Sequence, residues 1–388
     1  FGNRERVYGF NDDPQRYMFF SRAVLAALPA LDWVPDVVHT VDWHTAPVSV
    51  WLRVYGARNG LYRDIATLHT IHDFAYQGLC GRLLLSYGQM MEVPHLSVEP
   101  PGKINWMAQG IAHADLVTTV SPTHAREILD TEFAGDLRPL LNERRDRVYG
   151  ILSGIDTQLW DPGTDEALTQ QYDVTTLRMR SVNKTTLQRE LRLPTDTEVP
   201  LVGLVARLDP LKGFGLLLEA LEARLATRDL QFVILGTGDD ELAQRWQALQ
   251  ERFPSSVRAL IRFDERLARR IYAGVDLFVM PSQYESVSVG VMAAMRYGAV
   301  PLVRAVGGLA DTVTDADESP ALGNGFSFID YTQPAISDAF SRALVAFDDP
   351  SRWAAIQTRA MERDSSWQAP ARAYLDLYQR ARQLHSHR

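Results

Sequence analysis

From about residue 35 onward, short apolar runs alternate with longer stretches whose apolar positions recur at helical spacing. In the first half, Asp36–His39, Ile65–Ile71, Asp115–Val120 and Val148–Leu152 read as strands. In the second half, Val199–Val205, Gln231–Leu235, Val257–Ile261, Asp276–Met280 and Ala299–Val303 do the same. These runs lack period-two alternation, as expected for parallel strands covered on both faces. Helical patterns fall between them over Phe214–Ala226, Asp240–Arg252 and Leu267–Ala273. Pro334–Gln383 is helical almost throughout, with Trp353, Trp367, Tyr374 and Tyr378 as apolar anchors. Strand-then-helix alternation predicts an α/β protein with parallel sheets.

The pattern breaks after Asp156. Pro162 and Gly163 interrupt it, a polar stretch without strand signal runs to Pro194, and a fresh β-α series starts at Val199. We therefore expect two Rossmann-like domains facing each other across a cleft, over residues 1–156 and 199–365, with a linker over 157–198. A closing helix over 366–388 is expected to cross back to the first domain. Ligands belong at the carboxyl ends of the strands in such folds. Residues 1–30 give a polar lead and one helix before any strand, so the N-terminal domain is expected to be incomplete at its start.

Composition narrows the function classes. The 388 residues are 46% hydrophobic and 23% charged, as in ordinary globular domains. No run approaches the roughly 20 apolar residues a membrane-spanning helix needs. One cysteine, Cys80, excludes a disulfide scaffold and a thiolate metal cluster, and fits a reducing, cytoplasmic setting. A net charge of −8 argues against nucleic acid as a partner but leaves room for a local basic site.

Such a site is offered by Val202-Gly-Leu-Val-Ala-Arg-Leu-Asp-Pro-Leu-Lys-Gly213. A buried strand ends near Arg207, and Lys212-Gly213 opens the next helix. Two cations at one strand-to-helix turn can reach a diphosphate, Arg207 as a fork and Lys212 as a point charge. Surface charges capping helix ends are the competing explanation. A second signal is Met280-Pro-Ser-Gln-Tyr-Glu-Ser-Val-Ser-Val-Gly290, where a strand ends at Pro281 and a loop of small residues leads into the helix containing Met292–Tyr297, whose free N–H groups would favour an anion. Glu285 would repel a phosphate there. It suits sugar hydroxyls or developing positive charge better, or else it is a solvated loop carboxylate. Gly236-Thr-Gly238 permits close backbone approach, though a plain tight turn is the more common explanation of such a motif. Phe263, after its strand, can stack on a base, with core filling as the default.

The first half holds His39-Thr-Val-Asp-Trp-His44 and His69-Thr-Ile-His-Asp73. His69 and His72, three apart on an extended chain, point to opposite faces, and no cysteine or His-Glu-x-x-His pattern accompanies them. No metal is expected. Asp42 and His72 lie just past strand ends, where cleft residues belong, whereas His69 reads as a buried structural histidine.

Together these elements resemble the bacterial glycogen synthase and plant starch synthase family, retaining glucosyltransferases of the GT-B architecture. The resemblance rests on Asp42-Trp-His44, Thr70-Ile-His-Asp-Phe-Ala-Tyr-Gln-Gly78, Ile104-Asn-Trp106, Asp115-Leu-Val-Thr-Thr-Val-Ser-Pro122 and Gly150-Ile-Leu-Ser-Gly-Ile-Asp156. It continues through Asn183-Lys-Thr-Thr-Leu-Gln188, the Arg207/Lys212 turn, Leu235-Gly-Thr-Gly-Asp239, Ile271-Tyr-Ala-Gly-Val-Asp276 and Val306-Gly-Gly-Leu-Ala-Asp-Thr312. What it implies is glucose transfer from ADP-glucose, with no further cofactor, to the non-reducing end of glycogen or another α-1,4-glucan. Arg207 and Lys212 would neutralise the leaving diphosphate, Glu285 would stabilise and orient the donor sugar, His72 would touch the donor glucose, and Asp42 would line the acceptor side. Trp43, Asp73, Asn105, Ser153, Gly236, Gly238, Ser288, Val289 and Gly290 match substrate-contacting segments, and Phe263 matches a position where the family often stacks Tyr on adenine. The family's second Glu, eight residues after the first in sucrose- and trehalose-type relatives, is Ala293 here.

The chain also departs from the family. A Lys-Thr-Gly-Gly-Leu segment is absent, Asn positions are Asp73 and Ser153, a Lys is Ala108, and the Glu-Pro-Cys-Gly-Leu loop reads Glu285-Ser-Val-Ser-Val289. These departures keep open an alternative: a catalytically impaired relative that binds glucan or nucleotide as a partner protein.

Overall fold

The computed structural model describes residues 4, 7–91, 102–226 and 230–387, so part of the expected polar lead lies outside the described residues. The chain forms two compact units, Phe1–Leu152 with Ala369–Arg388, and Ser153–Gln368. No helix among the described residues is long and apolar enough to cross a membrane.

The first unit begins with helix α1 (Asp13–Ala30) and strand β1 (Val37–Val41), followed by α2 (Asp42–Val54) and β2 (Ala66–Ile71). A short antiparallel pair, β3 (Leu79–Gly81) and β4 (Lys103–Asn105), flanks α3 (Leu84–Gly88). Then come α4 (Trp106–His113), β5 (Leu116–Thr119), α5 (Pro122–Asp130), α6 (Arg138–Glu143) and β6 (Val148–Gly150). The main sheet has the order β1-β2-β5-β6, all parallel. Alternate residues of its strands face opposite layers. Ile71 and Val117 pack with Met107 and Ile111 of α4 and Ile128 of α5. Ala66, Leu68 and Leu116 pack instead with Leu377 and Ala381 of the final helix.

The second unit opens with irregular chain, a 3-10 segment (Val174–Met179) and α7 (Arg180–Glu190). Its strands are β7 (Leu201–Val205), β8 (Gln231–Gly236), β9 (Val257–Ile261), β10 (Leu277–Met280), β11 (Val300–Arg304) and β12 (Phe326–Phe328). The helices between them are α8 (Phe214–Leu225), α9 (Asp240–Arg252), α10 (Glu265–Gly274), α11 (Val289–Arg296) and α12 (Gly307–Thr312). After β12 follow α13 (Gln333–Phe347) and α14 (Pro350–Glu362), and α15 (Gln368–Ser386) returns to the first unit. The parallel order β12-β11-β10-β7-β8-β9 reverses direction between β7 and β10. That reversal is the topological switch point of a doubly wound sheet, where ligands bind. Aspartates start several of these helices: Asp239 accepts from the Leu242 N–H and Asp264 from the Leu267 N–H, each at 2.9 Å. Beneath the sheet, Phe232 stacks on Trp246 at 5.1 Å between ring centres, both fully buried.

Three expectations change. Residues 157–198 belong to the second unit and are bound into it through buried charge. Asp276, at the start of β10, accepts from Lys184 Nζ of α7 at 2.7 Å and from the Leu201 N–H of β7 at 2.8 Å. Polarity there marked a buried salt bridge, which a hydropathy pattern does not separate from a solvated linker. Trp367 is 46% exposed, so it anchors little. β3, β4 and β12 were absent from the pattern: each has three residues and, unlike the equally short β6, none continues into a longer apolar run.

Replacing Asp276 by Ala leaves Lys184, only 4% exposed at its side chain, in the interior without its counter-charge. The expected cost is on the order of 3 kcal/mol. Urea unfolding of the Asp276→Ala chain checks it, and an unchanged midpoint would show that 157–198 is held by other contacts.

Candidate functional site

In the second unit the loops after β7 and β10, on either side of the switch point, lie against each other. Gly213 takes φ +76°, and a Cβ there would collide with the carbonyl oxygen of Pro281. With no side chain between the backbones, Lys212 comes up beside the loop that starts at Pro281. Its Nζ donates to Glu285 Oε1 at 2.8 Å and Oε2 at 2.7 Å. Ser282, fully buried, donates its hydroxyl to Glu285 Oε2 at 2.9 Å. Arg207 is exposed, and its guanidinium donates to Asp209 Oδ2 at 2.7 Å while Asp209 Oδ1 caps the Leu211 N–H at 3.0 Å. The two cations therefore each rest on a carboxylate.

The loop after β8 supports Arg207 from the other side. Gly236 lies against the Ala206 carbonyl and Gly238 (φ +151°) against the Leu208 carbonyl, both too close for any side chain. Leu208 N–H donates to the Thr237 carbonyl at 2.8 Å and Asp239 N–H to the Leu208 carbonyl at 2.9 Å. Both glycines thus serve backbone packing under the Arg207 turn.

Ser288 is buried, and its hydroxyl is engaged by the Gly308 carbonyl at 3.1 Å and Thr312 Oγ1 at 2.7 Å. Its side chain is therefore directed into the α12 turn, leaving backbone N–H groups at Val289 and Gly290 as the polar feature of the α11 start. Phe263 is 85% exposed, which overturns core filling as its default role.

In the first unit Asp42 sits at the junction of β1 and α2 with φ +52°, a left-handed conformation that Asp tolerates better than bulky residues do. This turn aims its carboxylate at the end of β2. Oδ1 accepts from the His72 N–H at 2.7 Å, and Oδ2 lies 3.2 Å from His72 Nδ1. Burial works to raise the Asp42 carboxyl, but the hydrogen bonds and charge of His72 outweigh it and hold the group below its ordinary value. Asp73 Oδ1 accepts from the Ala75 N–H at 2.8 Å and so shapes the following turn.

Asn105, Trp43 and Ser153, expected at the substrate, also make structural contacts. Asn105 is buried; its Oδ1 caps α4 through the Ala108 N–H at 3.0 Å, and its Nδ2 donates to Gln77 Oε1 at 2.5 Å. Trp43 stacks on His44 at 4.2 Å, and Gly78 (φ +67°) lies so near its ring that a Cβ would stand 2.6 Å from it. Ser153 is buried at the start of the second unit, beside Gly154, where a Cβ would stand 2.6 Å from the Ser366 carbonyl oxygen.

The other histidines do not gather into a ligand set. His39 lies between the Tyr378 hydroxyl at 2.9 Å and Thr70 Oγ1 at 2.6 Å, and the fully buried His69 meets Thr40 Oγ1 at 2.9 Å. Among the described residues no three His, Cys, Asp or Glu side chains are grouped to hold a metal ion.

The family described as "Starch synthase catalytic domain" matches residues 1–143, and "Glycosyl transferases group 1" matches residues 199–346. A glycogen synthase of Moorella thermoacetica is 42% identical over 97% of this chain and 78% of its own length. The chain belongs to the glycogen and starch synthase family. A Thermotoga maritima glycogen synthase is 40% identical over the same shares. Among solved structures, the catalytic domain of starch synthase IV from Arabidopsis thaliana, bound to ADP and acarbose, superposes with a TM-score of 0.90 at 34% identity, covering 98% of this chain and 80% of that one. A sucrose-phosphate synthase from Thermosynechococcus elongatus, at 19% identity and a TM-score of 0.60 over 98% of this chain and 82% of its own, shares the fold alone. The fold is thus the GT-B α/β fold of the glycogen and starch synthases.

Ser282 and Asp209 are the polar residues of this site that sequence reasoning passed over. Both lie within the quoted motifs, three and two residues from Glu285 and Arg207, but only the turn geometry shows which side chain folds back.

Burial, with the charge of His72 adding to it, lowers His39 to about 4, and burial lowers His69 to about 4. Both imidazoles stay neutral in the folded unit at a pH where the unfolded chain, near its ordinary 6.5, binds protons. First-unit stability is therefore full above about pH 6.5 and falls as the pH drops toward 4, by roughly 3 kcal/mol for each histidine. Urea titrations across this range should show the loss, and His39→Gln should remove about half of it; an unchanged slope in that variant would refute the assignment.

Proposed function

We propose that the chain transfers glucose from ADP-glucose to the non-reducing end of an α-1,4-glucan with retention of configuration. The observation that carries this is the Arg207 and Lys212 turn locked against the Glu285 loop at the switch point, in a chain 42% identical to a glycogen synthase. The adenine nucleotide follows the ADP bound by the Arabidopsis starch synthase IV domain.

In this reading Arg207 and Lys212 neutralise charge building on the departing diphosphate, the largest electrostatic contribution open to the site. The exposed Phe263 ring offers a stacking face to the base. Backbone N–H groups at the start of α11 add donors for phosphate oxygens. Glu285 orients the donor sugar and balances positive charge developing at its anomeric carbon. His72, held by Asp42, contacts the donor glucose, and Asp42 lines the acceptor side. The acceptor hydroxyl oxygen bonds to the anomeric carbon as the bond from that carbon to phosphate breaks. Its proton passes to the leaving phosphate oxygen, so no second carboxylate and no cofactor are required. A cytoplasmic setting belongs to the same reading.

Calorimetric titration with ADP-glucose, set beside a glucan-elongation assay, tests it. Arg207→Ala should weaken donor binding by about 1.5–3 kcal/mol, the value of a hydrogen bond to a charged group. Glu285→Ala should abolish elongation while ADP still binds. Full activity in the Glu285 variant would overturn its role, and a preference for UDP-glucose would overturn the donor.

A further inference from the structure

Glu285 is 8% exposed, and a buried carboxylate needs partners for its oxygens. Among the described residues its side chain has two: Lys212, through both oxygens, and Ser282, through Oε2. Each cation of the β7 turn has a carboxylate beside it, Asp209 for Arg207 and Glu285 for Lys212. A donor diphosphate entering here adds negative charge that Arg207 and Lys212, as the cations of the β7 turn, are drawn to meet. Lys212 is half-buried on a flexible stem, and its ammonium is a point charge that can turn to a phosphate. Once it does so, the bonds that hold both Glu285 oxygens are weakened together.

Ser282 cannot turn away in the same manner. Its hydroxyl hangs on a single side-chain torsion, it is fully buried, and it follows Pro281, whose carbonyl is pressed against Gly213. Among the described residues its hydroxyl has Glu285 Oε2 as its hydrogen-bond partner. We infer that Ser282 is the positioning residue for Glu285, holding the carboxylate in place when the donor draws Lys212 onto its diphosphate. The inference rests on the proposed glucosyltransfer and adds a residue to it. Ser282 acts through Glu285 and touches no substrate in this account.

A loss confined to turnover follows. With Lys212 still on Glu285 in the free protein, Ser282→Ala leaves folding and first capture of the nucleotide alone, and its effect emerges as the reaction proceeds. In Ser282→Ala, kcat for glucan elongation should fall about tenfold to hundredfold, the equivalent of one hydrogen bond to a charged group. KM for ADP-glucose and calorimetric affinity for ADP should stay within about twofold of the unmodified chain. Ser282→Thr, which keeps the hydroxyl, should recover most of the lost turnover. The inference is overturned if Ser282→Ala keeps its kcat, if its ADP affinity drops in step with kcat, or if Ser282→Thr is as slow as the alanine variant while binding ADP normally. An unmodified chain that binds ADP-glucose but elongates no glucan would instead overturn the glucosyltransfer reading, and this inference with it.

Discussion

Two backbones in van der Waals contact, Gly213 against the Pro281 carbonyl, set the distance between the loops that end β7 and β10. A parallel sheet brings all its strand ends to one edge, but adjacent strands still leave their loops free to diverge. Here the left-handed glycine lets the first loop fold onto the second, and the glycines of the β8 loop do the same beneath Arg207. The separation of Lys212 from Glu285 is therefore governed by main chain, which is stiff, and only its last few ångströms by flexible side chains. An ammonium and a carboxylate held this way can exchange partners without the loops moving.

The first unit reaches a comparable end by other means. Asp42 accepts the left-handed conformation that a glycine would take without cost, and in return its carboxylate meets both the backbone and the ring of His72. Behind it, His39 and His69 are held neutral by burial, each bridged to hydroxyls of neighbouring strands. The polar layer under the strand ends is thus uncharged, and the charge is confined to the pair at the surface.

Much of this was legible in the chain because parallel strands carry an uninterrupted signal. Leu277–Met280 and Leu201–Val205 are apolar on both faces, and the residues that follow them are where chemistry must lie. Arg207, Lys212 and Glu285 could be singled out for that reason, and the meeting of Lys212 with Glu285 agrees with the order of strands. What stayed hidden depended on contacts between distant segments. Lys184 and Asp276 look like surface charges until the fold buries them against each other, and the cap that Asn105 makes on α4 and the packing of Gly78 on Trp43 come from contacts that spacing does not show. Phe263 shows the opposite error, since an aromatic residue after a strand is usually core and this one is not.

The first unit is built from two stretches of chain separated by all of Ser153–Gln368. Helix α15 lays Leu377 and Ala381 over Ala66, Leu68 and Leu116, closing one face of the sheet. On the ribosome, that sheet is synthesised long before its cover. The second unit, continuous in sequence, can complete its core while the earlier-made half still exposes an apolar face. Vectorial synthesis therefore inverts the order of maturation, and the half made first is the more dependent on chaperones until the last helix emerges.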